Sequence, residues 1–139
     1  MAQIEGRCLC GQVHYRADEE PTFVGICHCT DCQKFTGSAF STIVGVPARA
    51  LKVSGSLKTF TKIGDSGKPI HRRFCSECGS GIMDEADALP NIVMVNVGTL
   101  DDRSWVNPRS QVYCNSAQPW VQLGGEMKRF AKAPASARP

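Results

Sequence analysis

Cys27-His28-Cys29-Thr30-Asp31-Cys32-Gln33-Lys34-Phe35-Thr36-Gly37 sets three thiols within six residues, spaced by one residue and then by two. No packing demand asks for that. Cysteines this close join as disulfides only under strain. Thiolates gathered on one tight turn suit a soft, tetrahedral ion such as zinc. The triplet offers three ligands, whereas a structural zinc site takes four.

Working outward, four more cysteines form two pairs. Cys8-Leu9-Cys10-Gly11 separates its thiols by one residue, so an extended strand presents both on one face. Cys75-Ser76-Glu77-Cys78-Gly79 is the second pair, and Cys114 stands alone. The combination of Cys8, Cys10, Cys75 and Cys78 closes a four-thiolate structural zinc site and leaves the triplet intact. Cys27, Cys29 and Cys32 then hold a second zinc with an open fourth position, as in catalytic sites. In the competing reading, Cys114 or His28 closes that second site too. His28, between two ligands, points its ring away from them in an extended turn. A three-thiolate ion is a weaker Lewis acid than a three-histidine one, but it matches a sulfur ligand. A substrate thiol is bound there as thiolate.

Composition supports metal over disulfides. Eight cysteines in 139 residues, with an N-terminus that has neither a basic start nor an apolar stretch, read as a cytoplasmic metalloprotein. No apolar run approaches membrane-spanning length. The formal charge of +3 is cancelled once seven thiolates are set against two divalent ions, so nucleic acid is not an expected partner. The length suits one zinc-binding β domain over residues 1–127, followed by a flexible basic tail over 128–139.

Short alternating or β-branched runs predict a mainly β fold. They cover Gln12–Ala17, Thr22–Ile26, Ala39–Val46, Ile70–Phe74, Ile82–Met83, Asn91–Val97 and Gln111–Cys114, with Pro119–Val121 as a further strand. Asn91–Val97 reads as central. Leu51–Ser54 and Leu57–Ile63 read as a hairpin about Gly55-Ser56. A helical turn over Thr30–Phe35 ends at Gly37. Trp105 and Trp120 read as core or pocket-wall aromatics, and Cys114 as a small buried cysteine on a strand. Arg72 and Arg73 either bind a substrate carboxylate or coat the surface. Exposed strand edges are compatible with a homodimer.

Cys8-Leu9-Cys10-Gly11, then Cys27-His28-Cys29-Thr30-Asp31-Cys32-Gln33-Lys34 with Thr36-Gly37-Ser38-Ala39-Phe40, then Phe74-Cys75-Ser76-Glu77-Cys78-Gly79 resemble the glutathione-dependent formaldehyde-activating enzyme family, which includes centromere protein V. The resemblance runs from about Gly6 to Trp120. It implies a β-tent fold of short antiparallel strands, a structural zinc on the outer pairs and a second zinc on the triplet. It also implies a carbon–sulfur lyase-type reaction, in which a thiol such as glutathione adds to an aldehyde such as formaldehyde. The family often has a histidine where this chain has Gln111, and glutamine is no general base. Two other classes compete: a non-catalytic zinc-stapled binding module, and a thiol-based sulfoxide reductase using Cys114.

Overall fold

The chain is described by a computed structural model covering residues 4–134. Strands β1 (Ile4–Arg7) and β2 (His14–Ala17) bury every second residue, and β2 also pairs with β5 (Leu51–Ser54). These three form a small antiparallel sheet. Eight other strands build the large sheet: β3 (Phe23–Cys27), β4 (Ser41–Pro47), β6 (Leu57–Ile63), β7 (Pro69–Cys75), β8 (Gly81–Ala86), β9 (Ile92–Asn96), β10 (Ser110–Val112) and β11 (Lys128–Arg129). Their spatial order is β11-β10-β3-β4-β9-β8-β7-β6, antiparallel throughout except for the two parallel pairings of β10. The mainly β, β-tent class expected from the sequence holds. Among the described residues no helix is long and apolar enough to cross a membrane.

The core lies between the sheets. Ile4, Tyr15 and Ala17 of the small sheet pack against Val44, Val46, Met83, Val93 and Val95 of the large one. Strand alternation turns the next residues to the opposite face. There the register sets Cys27 opposite Ser41, Ile43 opposite Asn96, Asp84 opposite Met94, and Arg72 opposite Asp84. Cys27, Ser41, Asn96, Asp84 and Arg72 thus form a polar row across five strands, and every one is buried. Helix α1 (Thr30–Thr36) lies over part of that row. It is capped at its start by Cys29, whose Sγ accepts the Cys32 N–H, and at its end by Gly37 in the left-handed conformation.

Three expectations are corrected. Leu51–Ser54 and Leu57–Ile63 do not form a hairpin: β5 joins the small sheet, whereas β6 pairs along its whole length with β7. Gly55-Ser56 is a crossover between sheets, fastened by Gln12, whose side chain exchanges two hydrogen bonds with the Ser56 backbone at 2.7 and 2.9 Å. Pro119–Val121 is a turn rather than a strand, since Pro119 has no N–H and the Val121 N–H turns back to the Gln118 carbonyl at 3.1 Å. Trp120 is accordingly 72% exposed, not a core aromatic. In the segment expected as a flexible tail, β11 pairs with β10, and the carbonyls of Phe130, Ala131 and Lys132 accept from Cys114, Asn115 and Tyr113. Its last residues, 135–139, lie outside the described part.

The crossover makes a testable demand. Gly55 has φ +96°, and a Cβ there would sit 2.1 Å from the Gln12 carbonyl oxygen, whereas Gly67 at φ +82° has open space around it. Gly67→Ala is expected to cost about 1 kcal/mol, the left-handed penalty alone. Gly55→Ala should cost about 3 kcal/mol or more, because backbone must also move. Urea unfolding of the two variants checks the difference.

Candidate metal centres

The ends of β1 and β7 bring together Cys8, Cys10, Cys75 and Cys78, whose sulfurs all lie within 4.8 Å of one another. Cys8 and Cys10 are 3.6 Å apart, and Cys10 and Cys75 are 3.8 Å apart. A tetrahedral ion with bonds of roughly 2.3 Å requires sulfur separations of about 3.8 Å, so the spacing fits. Backbone N–H groups supply the surrounding donors. Val13 donates to Cys8, and Glu77 and Cys78 donate to Cys75, at 3.3 to 3.4 Å. The Gln12 amide adds a fourth bond, to Cys75, at 3.0 Å. Donors aimed at sulfur favour thiolate over thiol. Ser80, through its hydroxyl and backbone N–H, and then the Cys10 backbone hold the Cys78 thiol down at about 5.

The triplet forms the second group: Cys27 at the end of β3, Cys29 at the α1 cap and Cys32 in its first turn, again with sulfurs within 4.8 Å. Neither His28 nor Cys114 belongs to that group. Each group could hold a metal ion, and all eight cysteines are free of disulfides. Contacts with Cys27 and Cys29 draw the Cys32 thiol far down, with Ser41 and Arg72 helping, while contacts with Cys29 and Cys32 push Cys27 up.

Charged neighbours set the electrostatics. Arg72 Nη1 lies 3.7 Å from Cys32 Sγ and 3.2 Å from Asp84 Oδ2, and the guanidinium carbon sits 5.5 Å from the Phe35 ring centroid. Burial works to lower the Arg72 pKa, but Asp84 and Cys32 outweigh it. Burial pushes Asp84 up to about 7, against the pull of Arg72. Asp84 Oδ1 and Asn96 Oδ1, both on this polar face, are buried without a protein partner, and the Ser41 hydroxyl beside them faces the Cys32 thiol. Buried polar atoms in native folds normally find partners, so these acceptors have capacity left for water or a ligand.

His28 takes the other direction. It is buried, its Nε2 is 2.8 Å from Gln111 Oε1, and its ring lies 5.7 Å from that of Phe40. The reason is register: Gln111 pairs with Ile26, the strand position whose alternation His28 continues. Gln111 therefore orients a histidine. Gln33 ties the triplet loop to the C-terminal segment. Its amide N–H donates to the carbonyls of His28 at 2.7 Å and Ser116 at 3.1 Å, and its oxygen accepts from Gln118 at 2.8 Å.

Sequence reasoning grouped the seven cysteines as the fold does, yet passed over Asp84, Ser41 and the His28–Gln111 pair. Arg72 does not coat the surface: it is buried and its side chain reaches Cys32. One available signal was Asp84, the first acid directly behind the apolar pair Ile82-Met83. Cys114 is half-buried in a 3-10 turn rather than on a strand, with its thiol 3.6 Å from the Gln111 carbonyl. Asp31 is engaged by Lys62 at 2.8 Å, and His71 sits between Thr61 and Asp87 at 2.9 and 3.0 Å.

A family model described as glutathione-dependent formaldehyde-activating enzyme matches residues 3–116. The chain belongs to this family. A Colletotrichum graminicola protein provisionally named glutathione-dependent formaldehyde-activating enzyme is 29% identical over 93 residues, 65% of this chain and 48% of that protein. The chain thus spans about half the length of this fungal relative. A Halomonas elongata protein with the same provisional name is 26% identical over 126 residues, 86% of this chain and 80% of its own. The fold is also that of a Rhodobacter sphaeroides protein of known crystal structure, with a TM-score of 0.58 and 24% identity over 76% of this chain and 92% of that one.

The His28–Gln111 bond gives a prediction. Gln111→Leu strands a buried imidazole N–H and should destabilise by about 2 kcal/mol. Replacing both partners, as Gln111→Leu with His28→Phe, should recover at least half of that loss, measured by chemical denaturation of the metal-loaded protein.

Proposed function

We propose that the chain is a zinc-dependent carbon–sulfur lyase-type enzyme that adds a small thiol to an aldehyde, or reverses that addition. Cys8, Cys10, Cys75 and Cys78 hold a structural zinc, and Cys27, Cys29 and Cys32 hold a second zinc at the reaction site. Glutathione and formaldehyde, the pair in the names of the relatives, are the proposed substrates, in the cytoplasm. The observation that carries this reading is a group of three sulfurs that, among the described residues, no fourth protein ligand joins, set beside buried polar atoms without a protein partner.

A zinc ion supplies one position at which a substrate sulfur binds as thiolate. The chain's own residues do the rest. Cys27, Cys29 and Cys32 fix where that sulfur sits relative to the polar face. On the adjoining row the Ser41 hydroxyl, and Asp84 when protonated, can donate to the aldehyde oxygen, whereas Asn96 Oδ1 only accepts and suits the hydroxyl of the adduct, and α1 with Phe35 excludes water from one side. The balance is simple. The thiol gives up its proton, its sulfur bonds to the carbonyl carbon, and the oxygen takes a proton to become hydroxyl, giving an S-hydroxymethyl adduct when the aldehyde is formaldehyde. Holding both reactants in one geometry lowers the barrier chiefly through proximity and orientation.

Native mass spectrometry with and without glutathione tests this reading. Two zinc ions and one bound thiol are expected, and Cys29→Ser should lose one ion and the thiol together. Adduct formation from glutathione and formaldehyde should fall by about 100-fold or more in that variant. Cys114→Ser should keep both ions and at least half the rate. Turnover abolished by Cys114→Ser with both ions retained would point to a sulfoxide reductase, and two ions that ignore every thiol offered would point to a binding module.

A further inference from the structure

We infer that Arg72 determines which fourth ligand the triplet site prefers, favouring an anionic sulfur over a neutral donor. This rests on the open three-thiolate site proposed above and assigns its selectivity to a residue that coordinates nothing.

The placement of Arg72 is specific. It sits on β7 opposite Asp84 on β8, so sheet register sets the two side chains together. Asp84 Oδ2 holds Nη1 at 3.2 Å, and the same nitrogen reaches Cys32 Sγ at 3.7 Å. Phe35 of α1 packs over the guanidinium at 5.5 Å. A guanidinium does not deprotonate in proteins, so this charge is permanent. Both Arg72 and Asp84 are buried, at 8% and 4% exposure, which leaves little screening by salt.

A fold that needed only stability has a simpler option. Buried ion pairs can often be replaced by apolar side chains of similar volume without loss. A cation buried against a thiolate is better explained by what it faces. Three thiolates and a divalent ion carry one net negative charge. An incoming thiolate raises that to two, whereas a neutral ligand leaves it at one. A fixed positive charge beside Cys32 offsets the added charge in the first case and has no such added charge to meet in the second. Asp84 acts in the opposite sense. It positions Arg72 but contributes negative charge to the same face. Removing Arg72 should therefore weaken thiolate binding, and removing the Asp84 charge should not.

Cobalt-substituted full-length protein provides a readout independent of turnover, because visible bands report ligand exchange at the ion. Each protein is titrated with 2-mercaptoethanol, which binds as thiolate, and with imidazole, which binds neutral. Arg72→Met is expected to weaken the thiol by at least about tenfold and imidazole by less than about threefold, the former a lower bound on what a unit charge a few ångströms away contributes in a partly polar interior. Arg72→Lys should retain most of the preference. Asp84→Asn should leave thiol affinity equal or higher. Equal weakening of both ligands by Arg72→Met, or weakening of the thiol by Asp84→Asn, would mean a merely structural pair and overturn the inference. If Arg72→Met does not fold, the Lys and Asn variants decide by the same criteria: loss of thiol preference in Arg72→Lys also overturns it. Unchanged ligand preference in a folded Arg72→Met rejects the Arg72 role while the open site stands. Wild-type protein that takes neither ligand rejects the open site, and this inference with it.

Discussion

Four sulfurs drawn from opposite parts of the chain, Cys8 and Cys10 beside β1 and Cys75 and Cys78 after β7, converge within 4.8 Å of one another. Thiolates so close repel unless a cation sits among them, and the surrounding N–H donors are arranged for thiolates. The convergence fastens the small sheet to the large one where their shared core begins, with Cys8 and Cys75 themselves part of that core. Gln12 links the same corner to the crossover at Ser56 and to Cys75. Register of the small sheet, the path of the crossover and the placement of β7 all follow from this corner.

With β7 placed, the second centre follows. The large sheet separates its duties by face. Val44, Val46, Val93 and Val95 face the core, while the intervening positions carry Ser41, Asn96 and, on the adjoining strands, Asp84 and Arg72. Here α1 covers part of the polar face while it delivers Cys29 and Cys32, and Arg72 and Asp84 pair with each other beneath it. The result is a site walled by rigid strands rather than by loops. Its geometry is set by hydrogen-bonded register, which suits positioning of a sulfur to within a fraction of an ångström.

Much of this was legible in the order of residues. Cysteine spacing is local, and ligands one or two residues apart must act together, so the two groups could be sorted without coordinates. Strand periodicity is local too, and β3, β4, β7 and β9 were readable from alternation and β-branched runs. Other features misled for an identifiable reason. Gly55-Ser56 has the composition of a hairpin turn, yet the partners of its flanking strands lie elsewhere. Pro119–Val121 has apolar side chains, yet Pro119 lacks the N–H that a ladder needs and Trp120 stays exposed.

Sequence alone determined the two sulfur groups, the mainly β class and the single short helix that begins at the triplet, since each depends on neighbours along the chain. Only the tertiary structure decided that Arg72 and Asp84 adjoin Cys32, that His28 turns to Gln111, and that Cys114 stays outside the triplet. These pairings join residues 12 to 83 positions apart, or exclude one, and they are chosen by strand register. A shift of one residue would turn every side chain of a strand to the other face. No local pattern records that choice, because it is made when the sheets pair and one face is buried.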